Sequence, residues 1–105
     1  MAMVGVGGYA AKMVDVSSTA LSLSDMLFTE EEIKSADTVH VSVRVGNVSY
    51  WYDGTVPTAT QGHEILEKSE RIIRGIRNIR NFKVISQSGT AKLAITLGTF
   101  NRTPS

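Results

Sequence analysis

The chain has 105 residues, 42% hydrophobic and 20% charged, with a net charge of +1. That is the size of one domain, which buries about two-thirds of its unfolded surface without staples, and the composition is not that of a disordered chain. It has no cysteine, which excludes disulfides, zinc–thiolate sites and thiol catalysis, and no apolar run approaches the roughly 18 residues of a membrane span.

Residues 1–13 are rich in Gly, Ala and Met and read as an extended N-terminal arm. The start, Met1 to Gly8, lacks the basic region and long apolar core of a signal peptide, so secretion by that route is not expected. Val14, Val16, Leu21 and Leu23 alternate weakly with polar residues, as in one or two short strands. Ser24-Asp25 before Met26 suits the cap of a single helical turn. Thr29-Glu30-Glu31-Glu32 is a capping box: the Thr29 hydroxyl accepts from the Glu32 N–H while the Glu32 carboxylate reaches back. The spacing predicts a short helix over 29–35.

Thr38 to Val45 has the cleanest period of two, with Val39, Val41, Val43 and Val45 on one face and His40, Ser42 and Arg44 on the other. Gly46-Asn47 reads as the two-residue turn of a hairpin, since both residues tolerate positive φ. The return strand is Val48 to Tyr52. Asp53-Gly54 closes it, and Pro57, which lacks a ladder donor, keeps 54–62 out of any central strand. His63 to Lys68 and Arg71 to Arg74 read as short strands. From Arg71 to Ile85 both the cations and the apolar series Ile73, Ile76, Ile79, Phe82 and Ile85 recur every third residue, a period that fits neither helix nor strand. A strand, a single helical turn near Gly75–Arg80 and a strand from about Phe82 accommodate it. Ala91 to Leu97 closes the fold and 99–105 form a tail.

Six to eight short strands with one short helix predict a mainly β chain: a small antiparallel β-sandwich, or a partly open barrel, spanning 14–98. Its charge is lopsided. Residues 1–37 carry a net −4 and residues 38–105 a net +5. The halves either neutralise each other within one fold or meet head to tail between copies.

Little here is organised for chemistry. His40, Asp53, His63 and Glu64 are the possible metal ligands, but the adjacent His63 and Glu64 point to opposite faces of a strand. No Gly-x-Ser-x-Gly supports a hydrolytic triad, and Gly5-Val6-Gly7-Gly8 lacks the strand, helix and lysine of a phosphate loop. No catalytic residue, metal or cofactor is assigned, and the chain is not expected to be an enzyme. Arg71, Arg74, Arg77, Arg80 and Lys83 are five cations within thirteen residues. They are read as solvated surface, as subunit contacts to Glu30, Glu31 and Glu32, or as a nucleic-acid surface. The last lacks interleaved aromatic residues. Tyr50, Trp51 and Tyr52 cannot all be buried on one side of a strand. Trp51 is left as part of a second buried face, a protein contact or a sugar platform.

Three segments carry a resemblance: Ala36 to Val43, Tyr52 to Leu66 with its Asp53-Gly54-x-x-Pro57-Thr58-x-x-x-Gly62 core, and Ser88 to Thr96. Over roughly residues 14–100 the chain resembles small virion structural proteins of tailed bacteriophages, of the decoration, neck or collar type. The resemblance implies a β-sandwich present in many copies on the particle, assembled in the host cytoplasm. It implies self-association, docking on major capsid or neck proteins, and no enzyme or cofactor. Asp53, Gly54, Pro57, Thr58 and Gly62 are expected to be turn chemistry that defines the fold. The candidate subunit contacts are Trp51, Glu30, Glu31, Glu32, Arg71, Arg74, Arg77, Arg80 and Lys83. The alternatives are a carbohydrate-binding β-sandwich with Trp51 as platform, or a nucleic-acid module using the Arg71–Lys83 series.

Overall fold

The computed structural model describes residues 5–101, with side chains for 10–98. In chain order the elements are β1 (Gly5–Val16), β2 (Leu21–Ser22), α1 (Glu30–Ser35), β3 (Thr38–Val45), β4 (Val48–Trp51), β5 (His63–Ile65), β6 (Glu70–Arg74), α2 (Ile76–Arg80), β7 (Lys83–Ser86) and β8 (Ala91–Asn101). They form two four-stranded sheets, β1-β8-β3-β6 and β2-β7-β4-β5. Every pairing is antiparallel. The first, with strands of 5 to 12 residues, is the long sheet; the second, with strands of 2 to 4, is the short sheet. The mainly β sandwich expected from the alternation is the observed fold.

The core lies between the sheets. Val39, Val41 and Val43 of β3, Leu93, Ile95 and Leu97 of β8, and Val14 and Val16 of β1 face Val48 and Tyr50 of β4, Ile65 of β5 and Val84 of β7. Most of these side chains are fully enclosed, and each Val, Leu or Ile so buried stabilises the fold by about 1.5–3 kcal/mol relative to exposure. The helices close one end: α1 packs on α2 and β8, and α2 on β3 and β6. Helix α1 is built as its capping box predicts. Glu32 N–H donates to Thr29 Oγ1 at 3.1 Å and Thr29 N–H to Glu32 Oε1 at 2.9 Å. The turn expected at Gly75–Arg80 is regular enough to be a second short helix, α2. The turn after β2 is closed by Asp25, whose carboxylate accepts from Ser22 N–H at 2.9 Å and Ser22 Oγ–H at 3.0 Å.

The hairpin expected at Gly46-Asn47 does not form. Strand β3 pairs with β8 and β6, β4 with β7 and β5, so the chain crosses from one sheet to the other here. Gly46 has the expected positive φ, +82°, but it makes a corner rather than a hairpin turn. A Cβ there would lie 3.3 Å from Ala91 Cβ, so the corner is tight as well as left-handed. Glu67 pins it from two directions. Its Oε2 accepts from Gly46 N–H at 3.0 Å and its own N–H donates to Asn47 Oδ1 at 2.8 Å. The expected boundary between arm and domain at residues 13/14 is also not a structural one, because β1 runs through it in register with β8 from Ala10 to Val16. Likewise β8 passes residue 98 and ends at Asn101. The rest of the expected arm and tail, residues 1–4 and 102–105, lies outside the described residues.

Candidate functional site

The segment Asp53–Gly62 is local turn chemistry. Asp53 Oδ1 accepts from Thr55 N–H at 2.9 Å, an Asx-type turn. The same Thr55 backbone bond, then its side chain, holds the Asp53 carboxyl below the ordinary carboxylate range. Thr58 and Gln61 exchange backbone bonds at 3.0 and 3.2 Å, closing a tight turn. Pro57 is buried, and Pro57, Thr58 and Ala59 line a groove of about 480 Å³ with Ile85, Ser86 and Gln87 of the short sheet. The loop therefore lies over the outer side of that sheet. Gly62 has φ +138°, and a Cβ on it would meet Tyr50 O at 3.0 Å.

Beyond this loop the short sheet ends in a ring cluster at the open side of the sandwich, between the edge strands β5 and β6. His63 is in contact with three aromatic residues. It stacks on Tyr52 (centroids 5.6 Å, planes 12° apart), meets Trp51 edge-on at 5.1 Å and lies 5.3 Å from Tyr50. Trp51 is half-buried, Tyr52 is exposed and Tyr50 is buried. Burial raises the Tyr50 hydroxyl pKa above its ordinary value, and the nearby Arg71 guanidinium partly opposes that. Tyr50 and Tyr52 form one wall of a cleft of about 260 Å³; Ile72, Ile73 and Arg74 of β6 and Asn78 of α2 form the other. Asn78 is anchored by donating to Arg74 O at 2.8 Å. The sequence pointed to Trp51; the stacked ring is Tyr52, and His63, expected at the start of a strand and weighed as a metal ligand, is the residue that touches all three aromatic rings.

The basic series divides. Arg74 lines the ring cleft. Arg80 instead lines a separate cavity of about 370 Å³ with Ser24, Glu30, Ile33 and Lys34. Acidic and basic candidates thus meet inside one chain at the α1–α2 end, where Glu30 also sits 3.8 Å from Lys34. Glu32 serves the cap of α1, whereas Glu31 and Arg77 are exposed. Lys83 lies across from Trp51 and Ser22 in the short sheet, close enough to help hold the Asp25 carboxyl low, after the larger effect of the Ser22 bonds.

The outer face of the long sheet was not singled out by its sequence. Its outward residues run in cross-strand rows: Ala11, Thr96, His40 and Ile72 in one, Met13, Ala94, Ser42 and Glu70 in the next. Met13 is 63% exposed and Ile72 45%. Two polar pairs lie on the face, His40 Nε2 with Glu70 Oε1 at 2.8 Å and Asp15 with Lys92 at 3.2 Å. The available signal was the small or apolar character of alternate positions in β1 and β8, where polar residues ordinarily face water.

Among the described residues no group of three or more His, Asp or Glu side chains could hold a metal ion, and no helix is long and apolar enough to cross a membrane. No family model, curated protein or solved structure matches the chain.

Proposed function

We propose that the chain is a non-enzymatic structural subunit of a tailed-bacteriophage virion, assembled in the host cytoplasm. In this reading it associates with its own copies and docks on capsid or neck proteins to decorate or stabilise the particle. One observation carries the reading: the outer face of the long sheet is rich in small and apolar side chains, Ala11, Met13, Ala94 and Ile72 among them, and its Asp15 and Lys92 are paired with each other. Such a face suits packing against protein better than facing water. The test is co-sedimentation of the tagged chain with particles assembled from the virion proteins encoded beside it. The wild type should travel with particles, and Ala94→Arg, a charge at the centre of that face, should remain at the top of the gradient. A wild-type chain that never enters particles would overturn the reading.

A second reading, a carbohydrate-binding module, draws on the ring cleft, where exposed Tyr52 backed by His63 stands beside Arg74 and Asn78. Aromatic faces flanked by polar groups suit a sugar ring. Glycan-array binding that is lost in both Tyr52→Ala and Trp51→Ala would favour it; an empty array would remove it.

A further inference from the structure

A sandwich of two open sheets has four edge strands, and in this chain they are unequal. Strands β2 and β5 are 2 and 3 residues long. Strand β6 has 5 residues and carries Glu70, Arg71 and Arg74. Short length and charge are the usual means by which edges avoid pairing with other chains. Strand β1 has neither protection. It is 12 residues long and contains no proline, and from Ala10 to Val16 its register with β8 is unbroken. Its two charged side chains are both turned back onto their own chain. The Lys12 ammonium lies 5.6 Å from the centre of the Phe28 ring, and Asp15 Oδ1 accepts from Lys92 Nζ at 3.2 Å.

We propose that two copies of this chain join edge to edge through β1, antiparallel about a two-fold axis at Met13, making one continuous eight-stranded sheet. The inference deepens the self-association reading and rests on it. A second copy is the occupant because an edge this long is satisfied by one of equal length, and among the described strands the only such edge is β1 itself. The two-fold arrangement also closes. It consumes the unprotected edge of both copies and leaves the charged β6 at each end, whereas β1 against β6 would match over five residues and propagate. Met13 is the midpoint of the unbroken stretch from Ala10 to Val16. With Met13 opposite its own copy, Lys12 faces Val14 and Ala11 faces Asp15. A centre at Lys12 or Asp15 would set like charges opposite each other.

The chain has no cysteine, so single-cysteine variants test the register. Directly opposite residues of an antiparallel pair have Cα atoms about 4.5–5.5 Å apart, within disulfide reach. Residues two positions from the axis are staggered from their own copies by four residues, about 14 Å. On treatment with diamide, Met13→Cys should form a covalent dimer while Ala11→Cys and Asp15→Cys remain monomeric on non-reducing gels. Met13→Lys, at an exposed position, should keep its circular dichroism spectrum and raise the dimer dissociation constant at least tenfold by sedimentation equilibrium. A wild type that oligomerises while Met13→Cys gives no cross-link and Met13→Lys has no effect overturns this interface and leaves self-association standing. A strictly monomeric wild type overturns both.

Discussion

The two sheets of this sandwich are held together by different means. The long sheet is a ladder of strands whose register runs unbroken for up to seven residue pairs, and over those stretches period-two alternation is enough to orient its side chains. The short sheet has strands of at most four residues and depends on fittings around it. Gln87, just past the end of β7, donates through Nε2 to Ser49 Oγ of β4 at 3.1 Å and to Glu64 Oε2 of β5 at 2.9 Å. Glu67 holds the corner where β4 begins, and Gly62 lets the Asp53–Gly62 loop pass close to Tyr50. Apolar volume should therefore dominate in one sheet and special backbone positions in the other.

The largest test of this contrast is Ile95→Ala. Ile95 is fully enclosed at the centre of β8, and truncation should cost about 3–4 kcal/mol. The loss should appear as one cooperative urea transition of unchanged slope, because β8 supports both β1 and β3. Next is Gly62→Ala, which removes no contact but imposes a positive φ on alanine and a 3.0 Å approach to Tyr50 O. It should cost about 1–3 kcal/mol and lower amide-exchange protection in β4 and β5 before β8. Equal loss of protection in both sheets would erase the distinction. The smallest effect is electrostatic and belongs to the turns. Asp25 and Asp53 both accept backbone bonds that lower their pKa values in the folded chain. A depressed folded pKa stabilises at pH above the unfolded value, about 3.9, and that contribution is lost as pH falls through the lower folded value. NMR titration should place both carboxyls below their ordinary value, and either one titrating at or above it would overturn the assignment.

What the sequence disclosed follows the same division. The alternating valines of 38–45 and the Thr29–Glu32 capping box describe relations among near neighbours; the capping box is present as read, and the alternation holds through Val43 but fails at Val45, which a register shift leaves exposed. Gly46-Asn47 was legible as a positive-φ turn but not as a corner, because turn residues report local dihedral angles and not which strand the next segment joins. The period-three run from Arg71 to Ile85 reflects no single element. It is β6, α2 and β7 in succession, each with its own period. In the candidate site, the loop residues were recognisable from their turn propensities. The grouping of His63 with Tyr52 and the cleft against β6 depended on pairings between distant segments. Ala11, Met13, Ala94 and Thr96 drew no notice singly and form a surface only once β1 and β8 lie side by side.

The position of β8 also bears on how the molecule is made. It lies between β1 and β3, yet both precede it in the chain, and Gly5 is cross-strand partner to Asn101. As the chain leaves the ribosome, β3 can pair with β6, but β1 has no strand of this sheet to join until β8 emerges. The long sheet can be completed only once β8 is available, through contacts between segments distant in the chain, which is the slow regime for β topologies. Until then β1 is open on both sides.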